Sequence, residues 1–164
     1  MDKAALVAQL VDHLRGAVVT ARIARDGAAT EAREGATPAE KREDARAAIE
    51  HGAMARAQDG RLRAAEAAID ELAGFRPPVW RAGAPIHTGA LVEIEDEDTG
   101  EGRTFFLAPV GAGVTLSGPG GDGFLSVVTP ASPIGRAVIG RRQVDTVDVT
   151  IEGRERSWTI AWVG

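Results

Sequence analysis

One proline, Pro38, stands alone in the first 73 residues, and no aromatic residue occurs there at all. Ala, Arg and Glu dominate this stretch, a composition that favours long helices. A chain so poor in breakers has little choice but to form helices, and a lone proline near its middle makes two of them. From residue 75 on, the chemistry changes. All four Phe, all three Trp, seven of the eight Pro and 14 of the 20 Gly lie there. Short apolar runs alternating with Gly, Pro and Asp predict strands and turns. The sequence therefore predicts two domains within its 164 residues. Residues 1–75 form a helical hairpin with its tip at about 30–40, residues 76–84 a linker, and residues 85–164 a sheet domain. Gly74 suits a helix end and Pro77-Pro78 cannot continue one.

In the first helix Leu6, Leu10, Leu14 and Val18 recur every four residues with Val7 and Val11 beside them, one apolar stripe at helical spacing. The second is expected to begin at Thr37-Pro38-Ala39-Glu40, which has capping-box order and proline at the first helical position. Ala48, Ala55, Leu62 and Ile69 recur every seven residues, as one seam of a coiled coil does. A short turn predicts antiparallel helices packed on each other. A helix of about 35 residues is ~50 Å long, more than a neighbour of about 80 residues can cover, so the turn is expected to stand in solvent.

That turn is acidic. EGATPAEKRED (34–44) places Glu34, Glu40, Glu43 and Asp44 around Pro38. Glu40 and Asp44 lie four apart on one face of the second helix's start, where negative charge also suits the helix dipole. Carboxylates there are ordinary helix stabilisers and are also hard oxygen donors.

In the second half, residues 90–96, 103–109, 113–118, 124–129, 144–151 and 156–163 read as strands, the last two joined at Glu152-Gly153. Ser132-Pro133 followed by IGRAVIG reads as a short helix with a Ser cap and a Gly close. An antiparallel sheet with one helix against it makes an α+β domain.

Composition excludes several function classes. Without cysteine there are no disulfides and no thiolate metal sites, and a cytoplasmic protein is expected. Asp2, Asp12 and His13 interrupt the first apolar run, against a secretory leader, and no run is long enough to span a bilayer. A formal charge of -5 disfavours direct nucleic-acid binding, which needs clustered Lys and Arg. His13, His51 and His87 share no metal spacing. GPGGDG (118–123) has no Lys-Ser/Thr and reads as a hairpin loop, not a phosphate cradle. The acidic run EIEDEDTGE (93–101) reads as a solvated strand end and turn.

TPASPIGRAVIGRRQVDTVDVTI, residues 129–151, resembles the C-terminal domain of the GreA/GreB-type transcript cleavage factors of bacterial RNA polymerase. There, too, Ser-Pro, a short helix ending in Leu/Ile-Gly, a charged turn and an alternating strand follow in order. GALVEIEDEDTGEGRTFFL is similar to that domain's opening strands, and EKREDARAAIE to a helix start in a shorter, divergent branch of the family. The resemblance implies a coiled-coil hairpin followed by an FKBP-like sheet domain. It implies that Ser132, Pro133 and Ile134 dock on the rim of the polymerase's secondary channel while the hairpin enters the channel. Tip carboxylates, Glu40 and Asp44 first and Glu34 and Glu43 as alternates, would then help hold a Mg²⁺ shared with the polymerase active centre. The chain would be a monomer that stimulates the polymerase's own RNA cleavage, not an enzyme. Cleavage-competent members carry Asp-Leu-x-Glu at the tip, whereas this chain has Ala36-Thr37 at that place. A channel-binding regulator without cleavage is thus one alternative, and a coiled-coil adaptor another. Prolyl isomerase activity, which an FKBP-like domain suggests, needs an aromatic-lined pocket that a domain with no Tyr and few Phe does not provide.

Overall fold

The computed structural model describes residues 2–34, 44–118, 123–151 and 153–164. Two compact units divide the chain, Asp12–Asp70 and, together, Met1–Val11 with Glu71–Gly164.

The first unit consists of the greater parts of two helices, α1 (Lys3–Glu34) and α2 (Asp44–Gly74), whose residues before 12 and after 70 belong to the second. Asp2 caps α1, its Oδ1 accepting from the N–H groups of Ala4 and Ala5 at 3.0 and 3.3 Å. Within the unit, Val18 and Leu62 are buried. Arg22 donates to Glu66, and Arg22, Arg25 and Asp26 share one open groove with Asp59, Leu62, Arg63 and Glu66. Nearer the chain start, Lys3 Nζ donates to the Pro78 carbonyl at 3.0 Å. Within the 12–70 unit, residue 22 meeting 66 across the helix connection fits an antiparallel pair. Exposed ion pairs of this kind contribute at most about 1 kcal/mol, so the apolar seam does most of the holding. Val19 and Ile23 stay exposed on α1, one turn apart. The expected helix start at Thr37-Pro38-Ala39-Glu40 lies outside the described residues.

The second unit carries β1 (Leu91–Asp96), β2 (Gly102–Leu107), β3 (Thr115–Ser117), β4 (Phe124–Val128), α3 (Pro133–Val138), β5 (Thr146–Ile151) and β6 (Arg154–Val163). Six strands make one sheet in the order β3-β4-β2-β1-β6-β5. The expected antiparallel pairing holds for β1/β2, β1/β6, β3/β4 and β5/β6, but β2 and β4 run parallel, with Phe106 opposite Val127. The sheet is mixed because β3 folds back on β4 and leaves β4's other edge to pair with β2. Gly111 and Gly113, at φ 88° and 83°, turn the chain between β2 and β3.

Alternation sorts the strands into two apolar faces. Val92, Ile94, Phe105, Leu107, Val128, Val147, Val149, Trp158 and Ile160 form the larger core with Val138 of α3. Leu91, Phe106 and Val127, aligned across three strands, and the Leu116/Leu125 pair are also buried, at the intervening positions. The start of α1 packs in the same unit, where Leu6 and Leu10 are fully buried, as is Leu72 near the end of α2. Leu10 Cδ1 lies 2.7 Å from the place a Cβ on Gly111 would occupy. Gln9 extends the edge strand β3: its Nε2 donates to the Ser117 carbonyl at 3.3 Å and its Oε1 accepts from the Ser117 N–H at 3.0 Å. The compact units thus divide the chain at residues 11–12 and 70–71, with the first eleven residues on the sheet side.

Candidate functional site

Two places carry the sequence-predicted functional residues. At the helix connection, Glu40 and Glu43 lie outside the described residues. Glu34 and Asp44 close α1 and open α2 in backbone terms, the two ends that residues 35–43 join.

The second place is the corner that opens α3. Ser132 is its N-cap, with extended backbone (φ −70°, ψ 158°) and proline behind it. The Ser132 hydroxyl donates to the Thr129 carbonyl at 2.8 Å and accepts from the Gly135 N–H at 3.0 Å. The Ser132 N–H donates to the same Thr129 carbonyl at 3.0 Å. Gly135 is buried so tightly that a Cβ there would stand 2.0 Å from the Thr129 oxygen. Its neighbour Ile134 is half-buried against the larger core. Pro133 and Arg136 are exposed, and Arg136 donates back to the Ala131 carbonyl. Of the three predicted contact residues, Pro133 is therefore the fully presented one. Ser132 holds the corner's shape and Ile134 anchors it. Arg136 is the residue the sequence reading passed over, although three residues past Pro133 on a one-and-a-half-turn helix it shares proline's face.

The acidic run at 93–101 is the strand end and turn expected of it, exposed at residues 97–101, with one exception. Asp96 is the buried charged residue among those described, 1% exposed. Its Oδ2 accepts from Arg156 Nη1 at 2.7 Å, and its Oδ1 accepts from the N–H groups of Asp98 and Thr99 at 2.9 and 3.0 Å. Glu97 Oε1 accepts from the hydroxyls of Thr146 and Thr159. The run ties the β1–β2 turn to β5 and β6; alternation could not reveal this because the partners lie some 50 to 60 residues away. The Arg156 guanidinium, donating to Asp96, holds the carboxyl below its usual range, with help from the Thr99 and Asp98 N–H groups and against the cost of burial. A lowered folded pKa means that the pair stabilises above the unfolded value of about 3.9 and that this stabilisation fades as pH falls through the folded value. Tryptophan-monitored denaturation between pH 7 and pH 3 is expected to show an acid-side loss that Asp96→Asn makes shallower. An identical slope in that variant would contradict the assignment.

His87 Nδ1 lies 3.0 Å from the Thr88 carbonyl and His13 is exposed. Among the described residues no group of three or more His, Cys, Asp or Glu is placed to hold a metal, and no helix is long and apolar enough to cross a membrane. Phe105, Phe106 and Trp158 are core fillers rather than pocket walls.

Comparison with known proteins adds three findings. Residues 83–164, half of the chain, match the family model described as the C-terminal region of the GreA/GreB transcription elongation factors. Transcription elongation factor GreA of Polaromonas naphthalenivorans is 28% identical over 105 residues, 64% of this chain and 61% of that protein. GreA of Methylobacterium sp. strain 4-46 is 33% identical over 82 residues, 50% of this chain and 47% of its own length. The chain thus spans about three fifths and about half of the lengths of these relatives. Among solved structures, GreA factor homolog 1 (Gfh1) of Thermus thermophilus aligns at 19% identity and a TM-score of 0.40, covering 98% of this chain and 93% of that one.

Proposed function

The chain belongs to the GreA/GreB family of transcription elongation factors, and on that premise we propose that it binds bacterial RNA polymerase at the secondary channel and stimulates cleavage of backtracked RNA. The observation that carries the reading is the family match over 83–164, which contains the whole α3 corner. Pro133 is the outward contact, Ser132 fixes its angle through the Thr129 and Gly135 bonds, and Ile134 ties the corner to the core. A rigid corner of this kind loses little entropy on docking.

Glu40 and Asp44, with Glu34 and Glu43 as alternates, have the donor chemistry for Mg²⁺, which takes carboxylate oxygens and needs only one or two from a protein. A shared ion there supplies two-metal phosphoryl chemistry, one ion at the attacking oxygen and one at the leaving oxygen. The work of this chain is to place those carboxylates; the cleaving centre belongs to the polymerase, so the chain is a stimulator rather than an enzyme. It acts as a cytoplasmic monomer without a tightly bound cofactor.

A second reading rests on a specific departure. Ala36-Thr37 replaces the Asp-Leu of the cleavage-competent tip, which favours a channel-occupying regulator that does not stimulate cleavage. The adaptor reading has less support, because a partner coil needs an apolar seam sustained over three or four heptads, and among the helix residues whose burial is described the exposed pair Val19 and Ile23 covers one turn.

A stalled, backtracked complex of purified RNA polymerase with Mg²⁺ separates these readings. Transcripts are expected to shorten when the chain is added. Glu40→Ala with Asp44→Ala is expected to abolish shortening and leave binding intact. Undiminished shortening in the double variant would make those acids helix stabilisers only. Binding without any shortening would leave the regulator.

A further inference from the structure

Wherever else the described backbone enters the left-handed region, glycine occupies the position: residues 83, 89, 100, 111, 113, 123, 140 and 153. Val144 is the exception, at φ 73°. A β-branched residue there is strained, since its Cβ crowds the following carbonyl. The conformation is imposed by its neighbours. Val144 N–H donates to the Ile160 carbonyl at 2.9 Å, Ile160 N–H to the Asp145 carbonyl at 3.0 Å, and Asp145 N–H to the Arg142 carbonyl at 3.1 Å. Arg142 N–H donates to Asp145 Oδ2 at 2.8 Å, and Gln143 Nε2 to the Ala161 carbonyl at 3.0 Å. The Val144 side chain gains nothing from this frame, being 80% exposed. Strain and exposed apolar surface are two costs with no return inside the chain, the pattern of a side chain kept for an external contact.

Its surroundings indicate the contact's chemistry. Gly140–Arg142 is stitched to the segment before β1: Gly140 N–H donates to the Ile86 carbonyl at 2.8 Å, Ile86 N–H to the Arg141 carbonyl at 2.7 Å, and Arg142 Nη1 to the Gly83 carbonyl at 3.3 Å. Ile139, Arg141 and Arg142 are exposed on this platform. The nearest carboxylate in sequence, Asp145, already accepts from Arg142's own N–H. A cationic, apolar patch on a chain of net charge -5 suits an acidic protein surface. A phosphate backbone would use the arginines but not the valine, whereas arginine with apolar anchors is the mix that protein interfaces favour.

We infer that Val144, with the exposed Ile139, Arg141 and Arg142 just before it in the chain, is a docking knob for an apolar pocket rimmed by carboxylates on a protein partner. Resting on the reading above, that partner is RNA polymerase. The Ser132-Pro133 corner opens α3 and the knob follows six residues after its end.

The test is binding of the full chain to purified RNA polymerase, alongside thermal unfolding of the free chain. Val144→Gly is expected to raise the unfolding midpoint by about 2–4 °C and to weaken binding about tenfold. Arg141→Glu with Arg142→Glu is expected to weaken binding further, and binding of the unsubstituted chain to fall with added salt. Unchanged affinity in Val144→Gly overturns the inference while leaving the polymerase reading in place. No binding by the unsubstituted chain overturns both. A concentration-dependent dimer of the free chain that Val144→Gly abolishes would make a second copy the occupant, and would equally overturn the assignment to polymerase.

Discussion

Gly135→Ala is expected to destabilise the sheet unit by about 3 kcal/mol or more and to abolish the proposed docking on RNA polymerase with it. The loss has two parts. A Cβ at this position would lie 2.0 Å from the Thr129 oxygen, 2.9 Å from its carbonyl carbon and 3.1 Å from Pro130 Cα. These are backbone atoms, so no rotamer change relieves the contact, and overpacking of this kind costs about 1–3 kcal/mol. The Thr129 oxygen cannot retreat without breaking its bonds to the Ser132 hydroxyl and N–H, which adds the loss of the cap, about 1 kcal/mol. Glycine is required here for space, since its φ is not among the positive ones. Ser132→Ala is the natural control: it removes the cap and leaves the space, and is expected to cost about 1 kcal/mol. Denaturant midpoints compare the two directly. Equal stability of Gly135→Ala and the unsubstituted chain would contradict the corner's geometry.

Leu10→Ala is expected to cost about 2–5 kcal/mol, and to do so in the sheet unit although residue 10 belongs to the first helix. Leu10 is fully buried, and its methyl groups fill the space above Gly111, a residue whose φ of 88° excludes a larger side chain. Next to it, Gln9 bonds both polar groups of Ser117, so the helix start also blunts the edge strand. All three tryptophans, Trp80, Trp158 and Trp162, lie in the unit formed by Met1–Val11 and Glu71–Gly164. Tryptophan fluorescence therefore reports that unit's unfolding. The tryptophan-detected midpoint is expected to move in Leu10→Ala. If it stays in place while the helical signal is lost earlier, residues 1–11 belong with the helices alone.

These two residues also mark what sequence could and could not tell. The helices, the six strands and the Ser132 cap were legible because each has a local signal: helical or two-residue periodicity, a Gly-rich turn, a Ser-Pro before an apolar run. The Leu6–Leu10–Leu14–Val18 stripe was legible as a helix face but not in its partners. One stripe serves two units, with Leu6 and Leu10 in the sheet unit and Val18 in the helical one, and periodicity does not record what covers a face. The parallel β2/β4 pair was hidden for the same reason, since turn chemistry reports only sequential neighbours. Asp96 read as one acid among several because its partner Arg156 is 60 residues on. Val144 had no signal at all, as its strain depends on hydrogen bonds to Ile160 and Asp145 that only the fold creates. At the tip the sequence carries the whole case: Glu40 and Glu43 lie outside the described residues, and the roles of Glu34 and Asp44 rest on their position at the helix ends.

Binding to purified bacterial RNA polymerase, in competition with a factor already known to occupy the secondary channel, tests the central claim most directly. The unsubstituted chain is expected to displace that factor in a saturable manner, with Gly135→Ala unable to do so. Saturable binding that leaves the competitor in place would put the contact elsewhere on the polymerase, and no binding at all would contradict the account.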